Sequence, residues 1–196
     1  RGIGESMDIK EIEKHIRGLL VAIGEDPDRE GLRETPARVA RMYEEAFEGI
    51  KYTNREIAEM FGKTFEVPSD PNSGGAVVIK DISVFSYCEH HMALMYDMKV
   101  DVAYVPHGRV LGLSKIARIC DMAAKRLQLQ ERLGRDIAEI ISLAALSPDV
   151  GVRIEGCHSC MTSRGIKNVS SKTVTKTYFG AFKDDVSLQN LLGDRV

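Results

Sequence analysis

The sequence predicts an α+β protein, in which a helical N-terminal region precedes an antiparallel sheet backed by two helices. Three observations carry this expectation. Apolar residues recur at helical spacing through the first third of the chain. The period then drops to two in "AVVIKDISVF" and "MKVDVAYVP". Two helical stretches follow, and then two more alternating ones, so the order reads strand, strand, helix, helix, strand, strand.

Ile9, Ile12, Ile16, Leu19, Leu20 and Ile23 make one face of the first helix, and Gly24 follows as its stop. "EDPDREGLRE" is a charged loop. "TPARVARMYEEAFEGI" predicts a second helix with Thr35 as N-cap and Pro36 at the first helical position. Its apolar face is Val39, Tyr43, Ala46, Phe47 and Ile50. Thr53 and Glu56 predict a capping box that opens "TNREIAEMF". "DPNSGG" is a loop, and the first strand after it leads into "FSYCEHHMALM". "PHGR" turns the chain before "VLGLSK". Ser114 is placed as the cap of a helix that faces inward with Ile116, Ile119, Cys120, Ala123, Ala124 and Leu127. The next helix faces inward with Leu133, Ile137, Ile140, Ile141 and Ala144. "DVGVRIEGCHSC" and "KTVTKTYFGAF" are the third and fourth strands. The expected organisation is a vector-derived stretch over 1–6, a helical region over 7–63 and a sheet domain over 64–196.

At 196 residues, 43% hydrophobic and 29% charged, the chain has the composition of a globular protein whose core needs no disulfide or metal staple. A net charge of -2 and a pI near 6.3 advertise neither a nucleic-acid nor a membrane surface. No run reaches the length of a membrane span, and no signal peptide is recognised. Four cysteines then point to the reducing cytoplasm. There, clustered Cys and His mean metal or catalysis more often than disulfides.

Two clusters carry the chemistry. Cys88 and His91 form a C-x2-H pair, and Cys157 and Cys160 a C-x2-C pair with His158 between them. Two such pairs far apart in sequence predict a zinc site. Four ligands would close it as a structural site, while three would leave a position for water. Strand alternation favours three. In an uninterrupted strand His158 and Cys160 share a face with Val152 and Ile154, while Arg153, Glu155 and Cys157 take the other. The ligands are then Cys88, His91 and Cys160, with His90 and His158 spare as proton carriers. Cys88 and His91 have opposite parity, so a turn or bulge must bring them together. Glu89 reads either as a carboxylate orienting a ligand or as a plain surface acid. Cys120, alone on its helix face, is a packing residue. H-E-x-x-H is absent, as is H-x-E with P-C-x-x-C, which argues against a metalloprotease or a deaminase. The flanks of "CHSC" are strand-like, which argues against a thioredoxin-type redox pair.

Ser114, Lys115 and Arg118 at the first turn of a helix suit a phosphate, and Arg164 and Arg38 add positive charge. Gln130 and Glu131 open another helix. A carboxylate there either caps the helix or accepts two parallel N–H bonds, as a guanine edge offers. Spacing alone leaves both open.

"GLRETPARVARMY", "CEHH", "GLSKIAR", "QERL" and "HSCMTSRGI", in this order, resemble the GTP cyclohydrolase I family over nearly the whole chain from Met7. The resemblance implies a tunnelling fold (T-fold), assembled as a toroidal homodecamer with active sites between subunits. It implies conversion of GTP and water to formate and 7,8-dihydroneopterin triphosphate, the entry to folate or tetrahydrobiopterin synthesis. It also implies zinc on Cys88, His91 and Cys160, and His158 as the proton donor to the imidazole nitrogen of guanine. His90 matches the other essential histidine, near the ribose, and Glu131 with Gln130 matches the guanine anchor. Lys115, Arg118 and Arg164 match triphosphate contacts, as does Arg38 from a neighbouring subunit, and Ser114 matches a ribose or phosphate contact. One position departs: Cys157 stands where the family commonly has another residue, a place from which it could compete as a fourth ligand or pair with Cys160 on oxidation. Two other readings compete. One is a non-catalytic module with a closed zinc site of three cysteines and one histidine. The other is a T-fold enzyme acting on a pterin or deazapurine.

Overall fold

In the computed structural model the described residues are 7–67 and 75–193. The expected vector stretch, and all of the "DPNSGG" loop but Gly75, lie outside them. The observed architecture is the expected α+β one.

Helix α1 (Ile9–Ala22) is capped by Asp8, whose side chain accepts from the Glu11 N–H at 3.0 Å. It packs against α2 (Thr35–Ala46) and buries none of its residues fully. Thr35 is not the cap of α2. Glu34 before it is already helical, with φ -95° and ψ -4°, so no extended residue remains to turn a side chain onto the helix start. The Thr35 N–H goes instead to the Leu32 carbonyl of the preceding turns. Helix α2 stops at Ala46, and a 3-10 turn follows over Glu48–Lys51. That turn leaves Phe47 buried but Ile50 53% exposed, so Ile50 drops out of the predicted apolar face. The Thr53–Glu56 capping box is present, with both reciprocal bonds formed, and opens α3 (Asn54–Phe61).

The main sheet has five strands in the order β5-β2-β3-β6-β7. They are β2 (Val77–Cys88), β3 (Ala93–Tyr104), β5 (Leu127–Gln128), β6 (Val150–His158) and β7 (Thr173–Tyr178). All pairings are antiparallel except that of β5 with the end of β2. A second, two-stranded sheet joins β1 (Thr64–Glu66) to β4 (Arg109–Leu111). Helices α4 (Leu113–Ala124) and α5 (Gln130–Ala145) pack on one face of the main sheet. Gly112 is the N-cap of α4, because its N–H is held by the Lys63 carbonyl, so Ser114 lies inside the first turn rather than capping it. Leu127 belongs to β5, paired with Tyr87, and not to the helix face.

The core follows from these periods. Val100, Val102 and Tyr104 of β3 and Val152 and Ile154 of β6 meet Ile116 and Ile119 of α4 and Leu133, Ile137 and Ile140 of α5. Each such side chain contributes ~1.5–3 kcal/mol on burial. Ile57 and Ala58 of α3 join the same core. Arg126 ties the N-terminal region to it, donating to the carbonyls of Gly49 (3.1 Å) and Tyr52 (2.9 Å), to Asn54 Oδ1 (2.7 Å) and to Asp136 Oδ2 (3.1 Å). Gly49 sits so close to α4 that a Cβ there would stand 2.1 Å from the Met122 carbonyl oxygen. On the far face of the sheet Phe182 and Leu192 cover Ala103. They come from a 3-10 turn (Gly180–Lys183) and the chain after helix α7 (Val186–Asn190). Asp149 holds this segment, accepting from the Ala181 N–H at 2.8 Å and facing His107 at 2.9 Å.

Candidate active site

Strand β2 ends at Cys88, and the connection Glu89–Met92 turns the chain back into β3. Met92 takes the left-handed conformation, φ 49°, that such a turn needs. The turn brings Cys88 Sγ to 3.9 Å from His91 Nδ1, as their opposite parity required.

The third sulfur arrives differently from expectation. Strand β6 does not run through Cys160; it ends at His158, and one helical turn, α6 (Ser159–Thr162), carries Cys160. The ligand atoms of Cys88, His91 and Cys160 nevertheless lie within 4.8 Å of one another. Cys157 pairs with Tyr96 across the ladder, is buried, and is outside this group among the described residues. Burial, and then the neighbouring Cys88, push the Cys160 thiol pKa up. Two crowded sulfurs beside an imidazole are stabilised as thiolates by a cation, so this donor set fits a metal ion. Arg164 adds charge at the rim, its guanidinium 3.2 Å from His91 Nε2.

His158, at the end of β6, is half-buried. Its Nε2 lies 2.8 Å from Gln130 Oε1. Desolvation lowers its pKa, opposed by the carboxylate of Glu131, so the neutral ring is favoured near pH 7. Gln130 is itself buried, and its Nε2 donates to the carbonyls of Ile154 (3.1 Å) and Thr173 (3.0 Å) and to Thr175 Oγ1 (3.3 Å). His90 is exposed in the hairpin turn, its ring edge-on to that of His91 with centroids 6.5 Å apart. Glu131 is exposed in the first turn of α5. Ser114 and Arg118 are exposed and Lys115 half-buried in the opening turns of α4. Arg38 lies on α2, paired with Glu34.

Sequence reasoning missed Arg132. It donates to Glu89 Oε2 (2.6 Å), Gln128 Oε1 (3.0 Å) and the Leu127 carbonyl (2.8 Å). The Glu89 N–H is also held by the Gln128 carbonyl at 3.0 Å. Glu89 thus ties the metal-cluster turn to α5. The only sequence signal was a basic residue following Glu131 in "QERL".

A thiol–imidazole–thiol cluster, a half-buried histidine and cationic side chains, set on a largely antiparallel sheet backed by two helices, define an α+β protein with a centre that could hold a metal ion. The profile of GTP cyclohydrolase I matches residues 12–195. The GTP cyclohydrolase 1 of Ruminiclostridium cellulolyticum is 65% identical over 191 residues, covering 95% of this chain and 97% of that protein. That of Clostridium acetobutylicum is 59% identical over 184 residues, covering 93% and 94%. Among solved structures, archaeosine synthase QueF-Like in the apo form aligns with 56% of this chain and 98% of its own, at TM-score 0.46 and 22% identity. The chain belongs to the GTP cyclohydrolase I family. No helix among the described residues is long and apolar enough to cross a membrane.

Proposed function

We propose that this protein hydrolyses GTP at C8 of the guanine, giving formate and 7,8-dihydroneopterin triphosphate, with zinc as its metal. Family membership supports the reaction. The single observation that carries the metal-dependent form is the convergence of Cys88, His91 and Cys160. Two sulfurs and one imidazole nitrogen suit zinc, and three ligands leave a position open. Zinc held there supplies a Lewis acid able to bring the pKa of water toward neutrality, moderated by the charge of two thiolates.

The chain's own residues do the rest. His158, in its doubly protonated form, gives a proton to the imidazole nitrogen of guanine as the ring opens. His90, exposed beside His91, serves the ribose. Glu131 accepts two N–H bonds from the guanine edge at the start of α5, where Gln130 adjoins it. Lys115, Arg118 and Arg164 hold the triphosphate, and Ser114 a ribose or phosphate oxygen. Arg38 completes the phosphate grip of a neighbouring subunit in a homo-oligomer, a decamer by family resemblance. The helical region 7–63 and the catalytic domain 64–196 divide these roles. The enzyme works in the cytoplasm at the head of folate or tetrahydropterin synthesis, with no nucleic-acid or membrane partner.

The test is incubation with GTP and chromatography of the products, with and without chelator. Formate and a pterin that fluoresces after oxidation are expected, lost with chelator and restored by zinc. Metal-loaded protein that yields neither overturns the proposal.

A further inference from the structure

The side-chain amide of Gln130, 2% exposed, can face only one way. Its Nε2 meets the carbonyl oxygens of Ile154 and Thr173 at 3.1 and 3.0 Å, groups that only accept. A reversed amide would set oxygen against oxygen. Oε1 is therefore the atom turned toward His158 Nε2, 2.8 Å away. An acceptor needs a donor opposite it, so this nitrogen carries a hydrogen in the neutral ring and in the charged one.

We propose that Gln130 is a positioning residue: it fixes the tautomer and plane of His158, and so commits His158 to exchanging its proton through Nδ1. The support is the sheet itself. Ile154 and Thr175 are partners across the β6–β7 ladder, as are Gly156 and Thr173. Gln130 is thus bolted to two strands and passes their rigidity to the ring. An untethered imidazole presents either nitrogen, and the wrong tautomer at a proton-transfer step costs orders of magnitude in rate. Both amide hydrogens of Gln130 are taken up inside the protein, so reading the guanine edge falls to Glu131. The destination of the proton rests on the GTP reaction proposed above; the tautomer does not.

Two measurements test this. The first is ¹⁵N spectroscopy of wild-type protein labelled in its five histidine rings, with His158 assigned by its loss in His158→Gln. A protonated Nε2 and a bare Nδ1 are expected, and the opposite tautomer overturns the inference. The second is Gln130→Met, which keeps the side chain's length and removes its polar atoms. We expect kcat to fall about 10- to 100-fold, KM for GTP to stay unchanged, and the His158 signals to become those of a tautomer mixture. A raised KM with kcat retained overturns the inference and makes Gln130 a guanine contact. If Gln130→Met does not fold, the wild-type spectrum decides alone. Protein that releases no formate from GTP overturns the proposed function and leaves the spectrum standing. Active protein with the opposite tautomer overturns only the positioning role.

Discussion

Glu89 and Arg132 meet at 2.6 Å and join the turn that carries His90 and His91 to the helix that carries Gln130 and Glu131. Both side chains are part-exposed, at 32% and 42%, so their mutual attraction adds ~1 kcal/mol or less to stability. Their value is in alignment. Arg132→Ala should leave the melting temperature within a few degrees while kcat/KM for GTP falls about fivefold, roughly 1 kcal/mol. A thermal melt beside steady-state kinetics checks this. A large loss of stability with full activity in the surviving protein would contradict it.

Cys157 and Cys160 should part company on substitution. Cys160→Ser removes one of the three proposed ligands, and bound metal should fall to a small fraction. Cys157→Ser should keep its metal and its activity, because Cys157 faces Tyr96 across the sheet and lies outside the cluster. Metal analysis after dialysis decides. Metal loss and unfolding in Cys157→Ser would instead support a closed structural site.

Metal removal should be readable by thiol labelling. Complete burial pushes the Cys120 thiol pKa far up, so native protein should leave it unalkylated with or without metal. Cys160 is only part-buried, and should become the first cysteine modified once a chelator is present. Mass spectrometry of peptides after iodoacetamide checks the order.

The C-terminal segment should loosen in acid. The Ala181 N–H, with His107 in support and burial opposing, holds the Asp149 carboxyl below its usual pKa. A depressed carboxylate stabilises the fold above its unfolded value of 3.8, and that stabilisation fades as pH falls through the folded value. The hydrogen-exchange protection of Ala181 and Phe182, measured relative to the intrinsic exchange rate at each pH, should therefore fall below that value. Asp149→Asn should show the lowered protection already at pH 7, with little further loss in acid.

Gly49→Ala should weaken the attachment of the helical region to the body. Its Cβ would collide with the backbone oxygen of Met122, which belongs to a packed helix and cannot swing aside. A loss of ~1–3 kcal/mol is expected, visible as a lower denaturation midpoint, with the Arg126 contacts to Gly49 and Tyr52 strained or broken.

Much of this was legible in the sequence because period reports burial. Leu133, Ile137, Ile140 and Ile141 mark the inner face of α5, and all four are fully buried. The Thr53–Glu56 box is local chemistry and is found in place. Features that depend on distant partners were not legible. Ser114 looked like a cap until the Lys63 carbonyl claimed Gly112 and began the helix earlier. Strand β5 is two residues long, too short for alternation to register, and forms because Leu127 and Gln128 pair with the end of β2. The grouping of Cys88, His91 and Cys160 was expected from a strand argument whose premise fails at Ser159, where the chain becomes helical. Gln130 looked like a group free to meet a ligand, because nothing local in the sequence announces that the carbonyls of Ile154 and Thr173 lie against it.

The change of conformation after His158 makes the end of β6 a fork in the chain's duties. Upstream, the ladder dictates where a proton can go. Downstream, one turn of helix dictates where a sulfur sits. Evolution or engineering can retune either branch alone: a substitution in α6 can shift the third sulfur with the histidine left in register, and one in β7 can tilt the histidine with the sulfurs undisturbed.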